Sequence, residues 1–241
     1  MTDVSRTPVD ASVLVTGAGS GMGKAVAQRF RAEGWHVVAI DVAAGSLKQD
    51  ESQSVVVCDI TDEAALAEGV EGALNGRPPL RAVVNAAGIF PTSSLESYSP
   101  ELYRRIFDVN VLGTLSVARV GQQHLVRSGA GSMLFFASVD AFAVSKNQLL
   151  YSASKAAVVS IVRSLAIELA DQHITVNAIA PGWVETEGTK AGGRIQAAIA
   201  SIPLGRAASV EEIAQWVWNL SHEPSYITGE TLCVAGGVFI R

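Results

Sequence analysis

Residues 12–41 constrain the fold more than any other stretch. Ser12-Val-Leu-Val-Thr16 is a short apolar run that reads as a strand buried on both faces. It ends at Gly17, and Gly21 and Gly23 follow in Thr-Gly-Ala-Gly-Ser-Gly-Met-Gly. Residues 24–33 then carry Val26, Ala27 and Phe30 at helical spacing, and Gly34 closes the helix. Trp35-His-Val-Val-Ala-Ile-Asp41 is a second strand, ending in an acid. Strand, glycine turn, helix, strand and acid in this order form a dinucleotide-binding signature. The glycines let the backbone turn sharply and approach a pyrophosphate. The helix N-terminus adds free N–H groups and a positive dipole end. A glycine-rich turn without its flanking strands would carry much less weight.

Asp41, eighteen residues past Gly23, is placed to accept from adenosine ribose hydroxyls and to repel a 2'-phosphate. Ser20 and Met22 complete the turn, and neither is basic. Val42 follows the acid, and Lys24 is the sole cation close in sequence. The expected cofactor is NAD rather than NADP.

Along the chain the same alternation continues. The link after Asp41 is too short for a full crossover helix and is expected to be a loop or a helical turn. A third strand spans residues 54–58. Asp59 and Ile60 follow its end, where a carboxylate can meet an adenine amino group. Asp62 is an N-cap for a helix over 63–74. A fourth strand, 80–85, runs into Asn85-Ala86-Ala87-Gly88, small side chains that let the backbone lie against a flat cofactor. One long helix is expected from Pro100 to Arg127, with Asn110 inside its apolar stripe, either tethering a neighbouring strand or holding a water. A fifth strand, 131–137, places Ser138 at its C-terminal edge. A helix over 151–170 and a sixth strand over 173–179 precede Pro181, Gly182, Trp183, Val184 and Thr186. Residues 187–208 read as a mobile lid, then come a helix over 210–220 and a seventh strand over 230–234. Strands alternating with helices throughout imply one α/β domain with a doubly wound, parallel, seven-stranded sheet. Its cofactor half would be about residues 11–137 and its catalytic half about 138–241.

Composition narrows the function classes. Hydrophobic residues make up 49% of the 241, and the net charge of -5 gives no footing for nucleic acid or an anionic membrane. No unbroken apolar run approaches the roughly 18 residues of a membrane span. Residues 1–10 are polar and lack a signal-peptide pattern. Cys58 and Cys233 each end an apolar run and read as reduced core residues, not as a disulfide or a metal pair. A cytoplasmic enzyme of small molecules, without a metal, is the expectation.

Tyr151 and Lys155 stand four apart, which puts both on one helix face. A phenol is a poor base at neutral pH, and an ammonium nearby favours its anion. Alone the pair reads first as a packed tyrosine followed by a surface lysine, because that spacing is common on helices. After the fifth strand of such a sheet it falls where these sheets bind ligands.

Together these residues resemble the short-chain dehydrogenase/reductase family in its classical branch. The likeness rests on Thr16 to Gly23, Asp59, Asn85 to Gly88, Asn110, Ser138, Tyr151-Ser-Ala-Ser-Lys155, Pro181-Gly182 and Gly236-Gly237, and covers nearly the whole chain. It implies that Tyr151 is the general acid/base and that Lys155 holds the nicotinamide ribose and depresses the tyrosine pKa. It also implies that Ser138 fixes the substrate oxygen, that Asn110 holds a relay water, and that Val184 and Thr186 close on the carboxamide. Homotetramers built on the two long helices are implied as well. Ala235, where many relatives carry an acid, and Ala86, where Asn is common, depart from the pattern. The reaction expected is hydride transfer between a secondary alcohol and a ketone. Reduction of a 3-oxoacyl group on a carrier protein is the alternative, and a silent NAD-binding regulator is a third reading. Phe90, Asp140, Phe142, Gln148 and Trp183 are expected to face the substrate.

Overall fold

The structure, a computed structural model, describes residues 10–191 and 194–240. Most of the polar N-terminal stretch and Gly192 and Gly193 of the expected lid lie outside the described residues. The strands are β1 (Ser12–Thr16), β2 (His36–Asp41), β3 (Gln53–Val57), β4 (Leu80–Asn85), β5 (Gly131–Phe136), β6 (Ile174–Pro181) and β7 (Thr231–Val234). They form one parallel sheet in the order β3-β2-β1-β4-β5-β6-β7. Because β1 pairs with both β2 and β4, the winding direction reverses between β1 and β4. Ligands bind at the C-terminal edge of that reversal in open α/β sheets.

Alternate side chains of each strand feed opposite layers, as a period of two requires. Leu14, Val38, Met133 and Phe135 pack under the helices α2 (Glu63–Leu74), α4 (Gly113–Arg127) and α5 (Leu149–Glu168). Val13, Val15, Val37 and Leu134 face α1 (Gly21–Ala32) and α8 (Val210–Ser221) on the other side. α8 starts on the capping box expected of Ser-x-x-Glu, with Ser209 and Glu212 each bonding the other's backbone N–H. Two short helices, α6 (Glu187–Ala191) and α7 (Arg194–Ile199), occupy the segment expected to be a lid.

One element differs from the sequence expectation. The helix read as continuous from Pro100 is α3 (Pro100–Phe107), a π-helical turn at Asp108–Leu112, and then α4. Such turns insert an extra residue, and no apolar spacing announces them. Residues 42–52 form turns without a crossover helix, in keeping with their length. α5 is long and apolar enough to cross a membrane by composition. Its inner face, with Leu150, Val158, Val159 and Val162, belongs to the core.

Phe30 on α1 meets the edges of Trp35 and Trp218 at centroid distances of 5.2 and 5.0 Å and is fully buried. This cluster joins α1 to α8. Phe30→Ala is expected to cost about 3–5 kcal/mol in urea unfolding, the usual range for removing a core phenyl ring; a loss under about 1 kcal/mol would mean that the cluster does not hold the layer.

Candidate active site

The cleft at the sheet's switch point has a volume of about 580 Å³. Its floor is the turn between β1 and α1. Gly17 has φ +65°, and a Cβ there would lie 2.9 Å from the Ala87 backbone nitrogen. A Cβ on Gly23 would lie 2.1 Å from the Gly17 carbonyl oxygen. No side chain fits at either position, so the turn lies flat against the end of β4. Ser20 occupies the N-cap of α1 without making a capping bond, which leaves its hydroxyl for something else. Asp41, at the end of β2, accepts from Gly19 N at 2.9 Å and shares the wall with Val42, Asp59 and Ile60.

Behind this floor runs a buried polar chain. Thr16 Oγ1 donates to Asn85 Oδ1, and Asn85 Nδ2 donates to Thr114 Oγ1 at 2.9 Å. Thr114 Oγ1 donates to the Asn110 carbonyl at 2.7 Å. The Asn110 amide accepts from Ile89 N (2.9 Å) and donates to Ile89 O (2.9 Å) and Ser154 Oγ (3.0 Å). Of the two roles open to Asn110 in the sequence, its side chain performs the tether. It fixes the segment after β4 to α5.

Ser138, Tyr151 and Lys155 meet on one wall of the cleft. Ser138 Oγ accepts from Asp140 N at 3.1 Å and stands close enough to the Tyr151 phenol to favour its anion. Burial pushes the phenol up to about 12, the Ser138 bond pulls the other way, and the charge of Asp140 adds to the rise. Lys155 Nζ donates to the Phe136 carbonyl at 2.6 Å and lies 5.8 Å from the Tyr151 ring centroid. Burial brings it down to about 8. The expected depression of the tyrosine by the lysine is therefore not what this arrangement gives. Both groups have lost water, and the ammonium is spent on a backbone carbonyl.

Of the other residues expected at the site, Met22, Gly21, Ala86, Gly88, Phe90, Asp140, Gln148, Gly182, Trp183, Val184 and Thr186 all line the cleft. Four do not. Asn85 and Asn110 are buried in the polar chain behind it, and Pro181 is a buried strand residue. Phe142 turns away and stacks on Phe239, with centroids 5.3 Å apart. The apolar partner it needed lies in the C-terminal segment, which local sequence could not reveal. The sequence reading missed Cys58, Ile89, Val109, Glu187, Thr189 and Val238, which also line the cleft. Adjacency to Asp59, Gly88, Asn110 and Thr186 was a usable signal for all of these but Thr189 and Val238. Val238 arrives through the tertiary cluster of Ile195, Ile202 and Ala207 with Trp183.

A glycine cradle, an acid at the ribose end and a Ser-Tyr-Lys wall on a doubly wound sheet define a nucleotide-dependent oxidoreductase site. A family model described as Enoyl-(Acyl carrier protein) reductase matches residues 17–239. The 3-oxoacyl-[acyl-carrier-protein] reductase MabA of Mycobacterium tuberculosis is 34% identical, over 98% of this chain and 96% of that one. The corresponding FabG of Thermotoga maritima is 33% identical over 94% and 97%. Among solved structures, the ligand-free aldohexose dehydrogenase of Thermoplasma acidophilum superposes with TM-score 0.87 at 29% identity, covering 96% of this chain and 95% of that one. The 3-ketoacyl-(acyl-carrier-protein) reductase of Brucella melitensis complexed with NADH does so with TM-score 0.87 at 32%, covering 95% and 98%. The chain belongs to the short-chain dehydrogenase/reductase family. It is an oxidoreductase acting on CH–OH and ketone groups with a nucleotide cofactor.

The Lys155 shift makes stability depend on pH. Between about 8 and the ordinary 10.5, the unfolded chain holds a proton that the folded chain has released, so stability rises with pH. Relative to Lys155→Met, the wild type should gain about 2 kcal/mol in urea unfolding between pH 7 and pH 9.5. A flat difference would show that Lys155 is not held down by burial.

Proposed function

We propose that this chain is an NAD-dependent enzyme that interconverts a secondary alcohol and a ketone, with Tyr151 moving the proton. The observation that carries this is one cleft lined by the glycine turn, Asp41, Ser138, Tyr151 and Lys155. A nicotinamide dinucleotide, when bound, supplies the partner that accepts or gives hydride. The residues present fit such a group, because the side-chain-free turn of Gly17, Gly21 and Gly23 presents its backbone to the cleft and α1 begins there. Gly17, Ser20, Gly21, Met22 and Gly23 would hold the pyrophosphate, and Asp41 and Val42 the ribose. Asp59 and Ile60 would hold the adenine. Ala86, Ala87, Gly88, Gly182, Val184 and Thr186 would hold the nicotinamide half, with Lys155 at its ribose. The cleft walls carry Asp41, Asp59, Asp140 and Glu187 and, among the described residues, one cation, Lys155. A 2'-phosphate would meet that acid excess, which supports NAD.

Ser138 and Tyr151 would grip the substrate oxygen together. With its pKa raised, the phenol keeps its proton at neutral pH and is ready to give it to a ketone. In the alcohol direction it must first lose that proton, and a charged Lys155 on the same face favours the anion. Lys155 at about 8 is still charged at pH 7. Thr186, Glu187, Gly188 and Thr189 would cover the bound pair, since they already line the cleft and Thr186 stands 3.6 Å from where a Gly21 Cβ would be. Exposed Tyr103, Leu112, Leu115, Leu149 and Ile167 on α3 to α5 and the π-turn between them support a homotetramer built on those helices. Two free cysteines support a cytoplasmic setting.

A second reading is reduction of a 3-oxoacyl group on a carrier protein, favoured by what the relatives with 33% and 34% identity are named for. The acid-rich walls weigh against an anionic carrier arm.

Tyr151→Phe should lower kcat/KM by about 10²–10⁴ while leaving NADH affinity unchanged, since it removes the proton and not the cradle. Full activity in that variant would end the assignment. Asp41→Ser should raise the NADP-to-NAD ratio of kcat/KM by about 10-fold or more, because it removes a like charge from the 2'-phosphate position. An unchanged ratio would place cofactor choice elsewhere.

A further inference from the structure

Gln148 stands at the N-cap of α5, a position where a short polar side chain normally accepts from the first helical N–H groups. Its own side chain makes no capping bond. It is 8% exposed, lines the cleft with Ser138, Asp140 and Tyr151, and leaves Oε1 without a hydrogen-bond partner among the described residues. Buried acceptors rarely go unmatched unless a ligand supplies the donor.

The backbone on both sides of Gln148 is held in place. Asn147 adopts φ 62°, a left-handed conformation that Asn tolerates. Ser93 then locks the turn from the opposite side. Its N donates to Asn147 O at 2.9 Å, its O accepts from Leu149 N at 3.2 Å, and its Oγ accepts from Leu150 N at 3.0 Å. Gln148 O accepts from Ser152 N at 2.8 Å, so the residue is fixed at the start of the helix. Three residues before Tyr151, it shares that residue's helix face, about one turn away. Its side chain and the Tyr151 phenol line the same cleft.

The surroundings restrict what could satisfy it. Asp140 is on the same wall, with Oδ1 accepting from Ser145 N at 3.0 Å, and Glu187 also lines the cleft. The catalytic end is rich in acceptors and short of cations. Such a pocket receives hydroxyl donors and turns away carboxylates and phosphates.

We propose that Gln148 reads a second hydroxyl on the carbon next to the reacting one, so that the substrate class is a neutral vicinal diol or polyol. This rests on the alcohol–ketone reading above. The second hydroxyl is held and not oxidised: it donates to Oε1 while the first meets Ser138 and Tyr151. A 3-oxoacyl thioester has no donor to offer at that place.

The test compares NAD reduction with trans-1,2-cyclohexanediol and with cyclohexanol. Sites built to bond a hydroxyl discriminate strongly against analogues that lack it, so the wild type should favour the diol by about 100-fold in kcat/KM. Gln148→Met, of similar length but without an acceptor, should bring that ratio down to about threefold or less. Gln148→Glu keeps an acceptor at the same reach and should retain most of the preference. A merely structural residue would not show that rescue. A wild-type ratio near one, or a ratio that Gln148→Met leaves unchanged, overturns the proposal. So does a preference for an acetoacetyl thioester over both alcohols. Tyr151→Phe, assayed alongside, reports separately on the underlying reading: if it stays active, the proton-transfer assignment fails, whatever the diol ratio shows.

Discussion

The site depends on one buried amide. Asn110 holds Ile89 through both of its backbone groups and reaches Ser154 on α5 with the same side chain. Ser154 in turn donates to the Tyr151 carbonyl at 2.7 Å. The strand end that lies against the glycine turn and the helix that carries the tyrosine are thereby referred to a single point. The π-turn at Asp108–Leu112 is what brings an amide from the middle of a long helix into that position. A regular helix there would have satisfied its own backbone at the expense of the registry between the two halves of the cleft. Local irregularity of this kind is common where a site needs one residue out of step with its neighbours.

From that anchor the electrostatics follow. Lys155 is 5% exposed and has a carbonyl, not a carboxylate, as its partner. An ammionium so placed costs stability, and burial alone brings its pKa down to about 8. Tyr151 is driven the opposite way by the same loss of water. The two shifts move the pair apart on the pH scale, the phenol up to about 12 and the ammonium down to about 8. A phenol that keeps its proton is an acid, and a lysine poised near 8 is a charge that can be lost. The pair is held in the protonated state until further positive charge or substrate enters the cleft. The carboxyl of Asp140 reinforces that bias, since a negative neighbour disfavours a phenolate.

The seven strands, their parallel doubly wound arrangement and the glycine turn were legible because they rest on short-range signals. Each strand is an apolar run ended by Gly, Asn, Ser or an acid, and Gly17 and Gly23 occupy positions where a Cβ would run into backbone. The Ser138, Tyr151 and Lys155 wall was legible through spacing on a helix and position after a strand. What escaped was tertiary. The break at Asp108–Leu112 leaves the apolar stripe intact, so periodicity reads straight through it. Phe142 looked like a pocket residue until Phe239, nearly a hundred positions away, took it. Val238 entered the cleft by packing with Ile195, Ile202 and Ala207, and the pKa of Tyr151 rises because burial outweighs the pull of Ser138.

Substrate choice falls at the border of those two kinds of information. Gln148 is visible in sequence as the third residue before the tyrosine, but its meaning depends on an atom left without a partner and on a turn locked by Ser93. The cofactor end of the cleft is built mostly from backbone and small side chains, which fix position without naming a ligand beyond its flat ring and phosphates. The catalytic end carries the oxygens of Ser138, Asp140, Gln148 and Glu187 beside the donors of Tyr151 and Lys155. A substrate that left one of those oxygens dry and unmatched would lose about 1–3 kcal/mol for each one fully buried. Family membership therefore sets the reaction, and the match of donors to those oxygens is where a preference among substrates would arise.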